Sequence, residues 1–151
     1  MDKFNSINEI LDFAIQSEQE AVDFYSSLAK DAKNPTIKSI FMDFVQEEMG
    51  HKAKLMKIKE EGIFTIENSE IQDLKISDFL APVKARPDMT YQDALVVVMK
   101  KEKAAFKLYS HLSKIAPTAE LKNFFVMLAK EEANHKLHFE QEYDDYVLRE
   151  N

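Results

Sequence analysis

Glu48 and His51 stand three residues apart in Glu47-Glu48-Met49-Gly50-His51-Lys52, and Glu132 and His135 repeat that spacing in Glu131-Glu132-Ala133-Asn134-His135-Lys136. On a helix, residues three apart share a face, with roughly 5–6 Å between Cβ atoms. Each pair can therefore offer one carboxylate and one imidazole to the same point. Oxygen-rich ligation with imidazole and no thiolate suits iron or manganese better than a structural zinc site. One such pair means little, because Glu and His meet at this spacing by chance on many helices.

The pair gains meaning from an internal repeat. A shift of 84 residues lays Glu18 on Glu102, Tyr25 on Tyr109, Glu48 on Glu132 and His51 on His135 without a gap, and 13 of the 35 pairs from position 18 to 52 are identical. Shared helical composition gives far fewer. The chain reads as a duplicated helical hairpin.

The elements that must position these residues follow from periodicity. Ser6-Ile7-Asn8-Glu9 reads as a capping box opening a helix over about 7–33, whose stripe Ile7, Leu11, Ala14, Ile15, Ala21, Val22, Tyr25, Leu28 has one gap, filled by Glu18. Asn34-Pro35 starts a second helix, about 35–61, in which Glu48 and His51 occupy apolar positions and Gly62 is the stop. Thr90-Tyr91-Gln92-Asp93 opens a third, about 91–116, with Glu102 in its stripe. After Pro117 a fourth, about 119–149, carries Glu132 and His135. Residues 62–89 hold turn signals at Asn68-Ser69, Ser77-Asp78, Pro82 and Pro87, yet Ile63, Phe64, Ile71, Leu74 and Phe79 are too apolar for a free linker. A short helical turn is expected after Ser77. The whole of 1–151 reads as one all-α domain, a four-helix bundle of two hairpins.

In every helix the ionisable position lies near the middle, about 14–15 residues from the hairpin turn at ~1.5 Å each. The four glutamates and two histidines therefore meet at one level of the core. Four carboxylates cannot all stay ionised there without counter-charge, and two divalent cations would balance them. The bland alternative is a metal-free cluster that shares protons. Tyr25 and Tyr109, two turns beyond Glu18 and Glu102, read as core aromatics whose hydroxyls hydrogen-bond a ligating carboxylate. Glu20, Glu47 and Glu131 fall off the stripes and read as solvated, as does His111; His138 is also off-stripe.

Composition narrows the rest. The absence of Cys excludes disulfides, thiolate nucleophiles and Cys-bound iron on this chain. A net charge of −7 argues against nucleic acid or an anionic membrane as partner. No apolar run approaches the ~20 residues of a membrane span and no signal-peptide core precedes the first helix, so a soluble cytoplasmic protein is expected.

Taken together, Glu18-x6-Tyr25 followed by Leu28-Ala29, Glu48-x2-His51, Glu102-x6-Tyr109 and Glu132-x2-His135 resemble the rubrerythrin branch of the ferritin-like superfamily. The resemblance implies that Glu48 and Glu132 bridge two metals, that Glu18 and Glu102 are terminal ligands, and that His51 and His135 serve one metal each. It implies two iron ions, with manganese or a mixed pair as alternatives. It further implies reduction of hydrogen peroxide or dioxygen, and parallel second and third helices joined by a crossover over 62–89. Two departures stand out. Ala105 or Phe106 occupies the place of an extra glutamate found in the peroxidases of that branch, and no Cys-ligated rubredoxin-like domain is present, so electrons would come from a separate donor protein. Ferroxidation linked to iron handling, or a non-catalytic metal-binding interaction bundle, are the alternative functions. A homodimer is expected, and the long crossover would permit exchange of hairpins between two chains.

Overall fold

Each helix begins and ends where the local chemistry dictates. In the computed structural model, which describes residues 3–66, 71, 74–80 and 88–150, α1 runs Ile7–Asp31, α2 Pro35–Glu61, α3 Tyr91–Ile115 and α4 Ala119–Glu150. Ser6 Oγ accepts the Glu9 amide at 3.2 Å, one half of the expected capping box. Asn34 Oδ1 accepts the amides of Thr36 and Ile37, and the following proline needs no acceptor. Thr90 and Thr118 cap α3 and α4 in the same way. Gly62, at φ 63°, takes the left-handed conformation that closes α2 through its amide to the Ile58 and Lys59 carbonyls.

Helices α1 and α2 pack as one antiparallel hairpin and α3 and α4 as another, with α1 facing α3 and α2 facing α4 across the middle. Two apolar clusters show the directions. Tyr25, Leu28, Phe41, Phe44, Leu95, Val98 and Phe139 gather at one end. Ile10, Leu11, Leu55, Ile58, Leu112, Leu121 and Phe125 gather at the other. The N-termini of α2 and α3 therefore lie at the same end, and the two helices run parallel. Their connection must travel the length of the bundle. The four helices are those expected from the stripes, and their order is the all-α ferritin-like architecture that the resemblance implies.

The described part of the crossover packs at the far end, where Phe64, Ile71, Leu74 and Phe79 join Ile58 and Phe125 in the core. A 3-10 turn spans Ile76–Phe79, starting one residue before Ser77. The expected turn signals at Asn68-Ser69, Pro82 and Pro87 lie outside the described residues. The N-terminus latches this segment down: the Phe4 amide donates to the Leu74 carbonyl at 3.2 Å, and the Phe4 ring lies between Phe13 and Phe79. At the opposite end the buried Glu142 accepts the Tyr91 hydroxyl at 2.7 Å and ties α4 to the start of α3. Among the described residues, no helix is long and apolar enough to cross a membrane.

Candidate metal centre

Between the two apolar ends lies a polar layer. Glu18, Glu48, His51, Glu102, Glu132 and His135 are all buried, none more than 4 % exposed. Their donor atoms form two overlapping groups, Glu18–Glu48–His51–Glu132 and Glu48–Glu102–Glu132–His135, and within each group all four atoms lie within 4.8 Å of one another. Glu48 and Glu132 belong to both groups; the other four belong to one each. Every sequence-selected candidate ligand is brought together.

Both imidazoles present Nδ1 to the centre. His51 Nδ1 lies 3.4 Å from Glu18, 3.3 Å from Glu48 and 3.5 Å from Glu132. His135 Nδ1 lies 3.3 Å from Glu48, 3.8 Å from Glu102 and 3.6 Å from Glu132. None of these approaches has hydrogen-bond geometry. Glu18 Oε2, both oxygens of Glu48, Glu102 Oε2, Glu132 Oε1 and the Nδ1 atoms of both histidines are buried without a hydrogen-bond partner. Buried polar atoms are normally satisfied, and here seven unsatisfied ones surround one point. Their chemistry, carboxylate oxygen and neutral imidazole, fits a pair of divalent cations.

Without metal the cluster answers by holding protons. Burial, reinforced by the neighbouring Glu132, raises the Glu18 pKa from 4.5 to about 7. Burial and the charge of Glu48 raise Glu132 to about 8, and burial with Glu132 lifts Glu102 well above the carboxylate range. For His51, burial opposes the charged ring, but Glu132, Glu18 and Glu48 prevail and its pKa rises. His135 rises for the same reason, chiefly through Glu48.

Outside the ligand set, the residues act unequally. The Tyr109 hydroxyl donates to Glu18 Oε1 at 2.5 Å, from α3 across to α1. The Tyr25 hydroxyl is buried and has no partner. Glu47 and Glu131, expected on the solvated face, instead stand behind the histidines. His51 Nε2 donates to Glu131 at 3.0 Å. His135 Nε2 lies 3.5 Å from Glu47 without forming a bond. Each carboxylate comes from the facing helix and is only half-buried. Such a carboxylate behind a ligating imidazole fixes its tautomer and orientation. The sequence did hold a signal, since Glu47 and Glu131 are themselves an identical pair of the repeat. Glu20 is exposed as expected, while His111 is half-buried against Phe79 rather than solvated, and His138 sits edge-on to Phe44.

The comparisons agree with this geometry. The family model described as Rubrerythrin matches residues 9–91, more than half of the chain, taking in the first hairpin and the crossover. A solved structure described as Hypothetical Protein Pfu-1136390-001 from Pyrococcus furiosus is 28% identical with a TM-score of 0.70, over 92% of this chain and 89% of that one. No curated protein gives a significant match. With four helices in ferritin-like order, a buried carboxylate–histidine cluster able to hold metal and a family match over most of its first hairpin, the chain belongs to the rubrerythrin family.

Proposed function

We propose that this protein is a di-iron carboxylate redox enzyme that reduces hydrogen peroxide or dioxygen, with electrons from a separate donor protein. The observation that supports it is the convergence of seven buried, unpartnered donor atoms on one point. In this reading Glu48 and Glu132, common to both groups, would serve both ions. Glu18 and His51 would hold one ion with them, and Glu102 and His135 the other. An iron pair, when bound, supplies Lewis acidity and two electrons.

The chain's own residues do the rest. Four carboxylates balance two divalent charges. The Tyr109 hydroxyl holds one oxygen of Glu18 and leaves the other directed inward. Glu131 accepts a hydrogen bond from the Nε2–H of His51 and so keeps Nδ1 facing the centre. The protons stored on the metal-free cluster leave as cations bind. The acidic surface favours a donor with a basic docking patch, through charge complementarity.

The test is anaerobic loading with Fe(II), followed by one equivalent of hydrogen peroxide in a stopped-flow spectrometer. Two ferrous ions per chain, both oxidised rapidly, are expected. Failure to bind iron stoichiometrically, or bound iron that peroxide does not oxidise, defeats the reading.

A further inference from the structure

One cavity of the molecule opens onto the centre from the side opposite the histidines. It lies between α1 and α3, beside Phe79 and Leu80 of the crossover, and has a volume of about 420 Å³. The four centre glutamates line it, and neither histidine does. Metals held by those glutamates would stand at its inner end. Liquid water takes about 30 Å³ per molecule, so the space exceeds what hydrogen peroxide or dioxygen needs by roughly an order of magnitude.

The rest of the wall is mixed, with Gln16, Ser17, Glu20, Lys101 and Tyr109 on its polar side. Phe13, Phe79, Leu108, Ala104 and Ala105 give it an apolar surface, and the two alanines keep it wide. Tyr25 also lines it, and its buried hydroxyl is unpartnered. By area the apolar part of the wall is the larger, as it is in most ligand pockets. A ligand suited to it has a compact apolar body and an oxygen-bearing head that reaches the carboxylates.

Building on the peroxide reading above, we propose that the substrate of this centre is an organic hydroperoxide. Its apolar body fills the space between Phe13, Phe79 and the two alanines, and its hydroperoxide group faces the glutamates, within the reach of the Tyr25 hydroxyl. In the reaction the O–O bond breaks. Two ferrous ions are each oxidised by one electron, two protons are taken up from solvent, and the products are the corresponding alcohol and one water.

Two measurements test this, one of them without metal. Metal-free protein is titrated with 2-phenylpropan-2-ol, the alcohol formed from cumene hydroperoxide, by saturation-transfer NMR. Saturable binding is expected, weakened about tenfold or more in Ala105→Phe and in Ala104→Phe, since even one methylene of pocket volume is worth roughly 10–200-fold. Circular dichroism checks that both variants fold. Ferrous-loaded protein is then mixed anaerobically with cumene hydroperoxide or with hydrogen peroxide. The organic peroxide is expected to oxidise the iron at a rate within about tenfold of hydrogen peroxide, and both filled variants to lower the ratio of the two rates by about tenfold. If the alcohol does not bind, or if neither variant changes that ratio, the organic substrate is ruled out while the peroxide reading stands. Iron that neither peroxide oxidises sinks both.

Discussion

The two halves of the centre contain the same residue types and hold them by different means. In the half built on Glu18 and His51, hydrogen bonds do the holding: Tyr109 donates to Glu18 and His51 donates to Glu131. In the half built on Glu102 and His135, neither counterpart bond is made. There the ring of Phe44 stacks on His135 at 4.1 Å, with Tyr25 edge-on at 6.4 Å. The repeat places Leu128 opposite Phe44, so the first half lacks an aromatic residue at that position. A duplicated site has thus kept its carboxylates and imidazoles and diverged in what supports them. Hydrogen bonding specifies direction and tautomer, whereas ring packing specifies position and leaves the outer nitrogen of His135 unpaired.

The largest expected effect erases the comparison altogether. Glu48 belongs to both groups, so Glu48→Ala should abolish stoichiometric loading of both ions, where His51→Ala or His135→Ala removes one; metal analysis after gel filtration reads the difference. Next comes the contrast between the two kinds of support. Phe44 is buried, and Phe44→Ala should cost about 3–5 kcal/mol in chemical denaturation of the metal-free protein. Glu131→Ala should leave stability nearly unchanged and weaken binding of one ion by roughly 10–100-fold in a calorimetric titration. Equal behaviour of these two variants would show that the halves are supported alike after all.

Acidity gives the third test. Glu18 and Glu132 bind protons more tightly folded than unfolded, and so do Glu102 and both histidines. The native state then carries more protons than the unfolded one, and stability falls as pH rises. For the glutamates the loss starts at the ordinary value of 4.5 and runs to about 7 for Glu18 and about 8 for Glu132. The Glu18 shift alone corresponds to about 3 kcal/mol. Metal-free protein should therefore melt at higher temperature at pH 5 than at pH 8, and saturating metal should reverse that order by replacing the protons. A metal-free melting curve that improves toward pH 8 would contradict the buried cluster.

The smallest effect separates the tyrosines. Tyr109→Phe should cost about 1–3 kcal/mol, because it leaves a buried carboxylate oxygen without its donor. Tyr25→Phe should stay within about 0.5 kcal/mol, because its hydroxyl has no bond to lose. Urea denaturation of both metal-free variants checks the pair.

How much of this could be read from the chain depended on whether the signal was local. Glu18, Glu48, Glu102 and Glu132 announced themselves as charges interrupting apolar stripes, and the shift of 84 residues tied them together. The four helices followed from the same stripes, with caps at Ser6, Asn34, Thr90 and Gly62. Glu47 and Glu131 did not, because their role depends on a histidine from the opposite hairpin, and a helical wheel of either helix alone places them outside the core. The difference between Phe44 and Leu128 was plain to see, but its meaning required the ring of His135 to be laid against it. The apolar crossover was legible as something that packs, whereas the end of the bundle it covers came only from Phe64, Ile71, Leu74 and Phe79 sharing a cluster with Ile58 and Phe125.

The four-atom groups have one consequence for assembly. Neither can be completed by one hairpin, since the first takes Glu132 from α4 and the second takes Glu48 from α2. Packing is dense within each hairpin and sparse between them, so the seam that joins the two halves of the chain runs through the carboxylate layer itself. Any cation bound there fastens that seam, because a ligand that binds only the assembled form stabilises it by mass action. A cation bound there would act as a rivet, and chelation should loosen the docking of one hairpin on the other before it unwinds either.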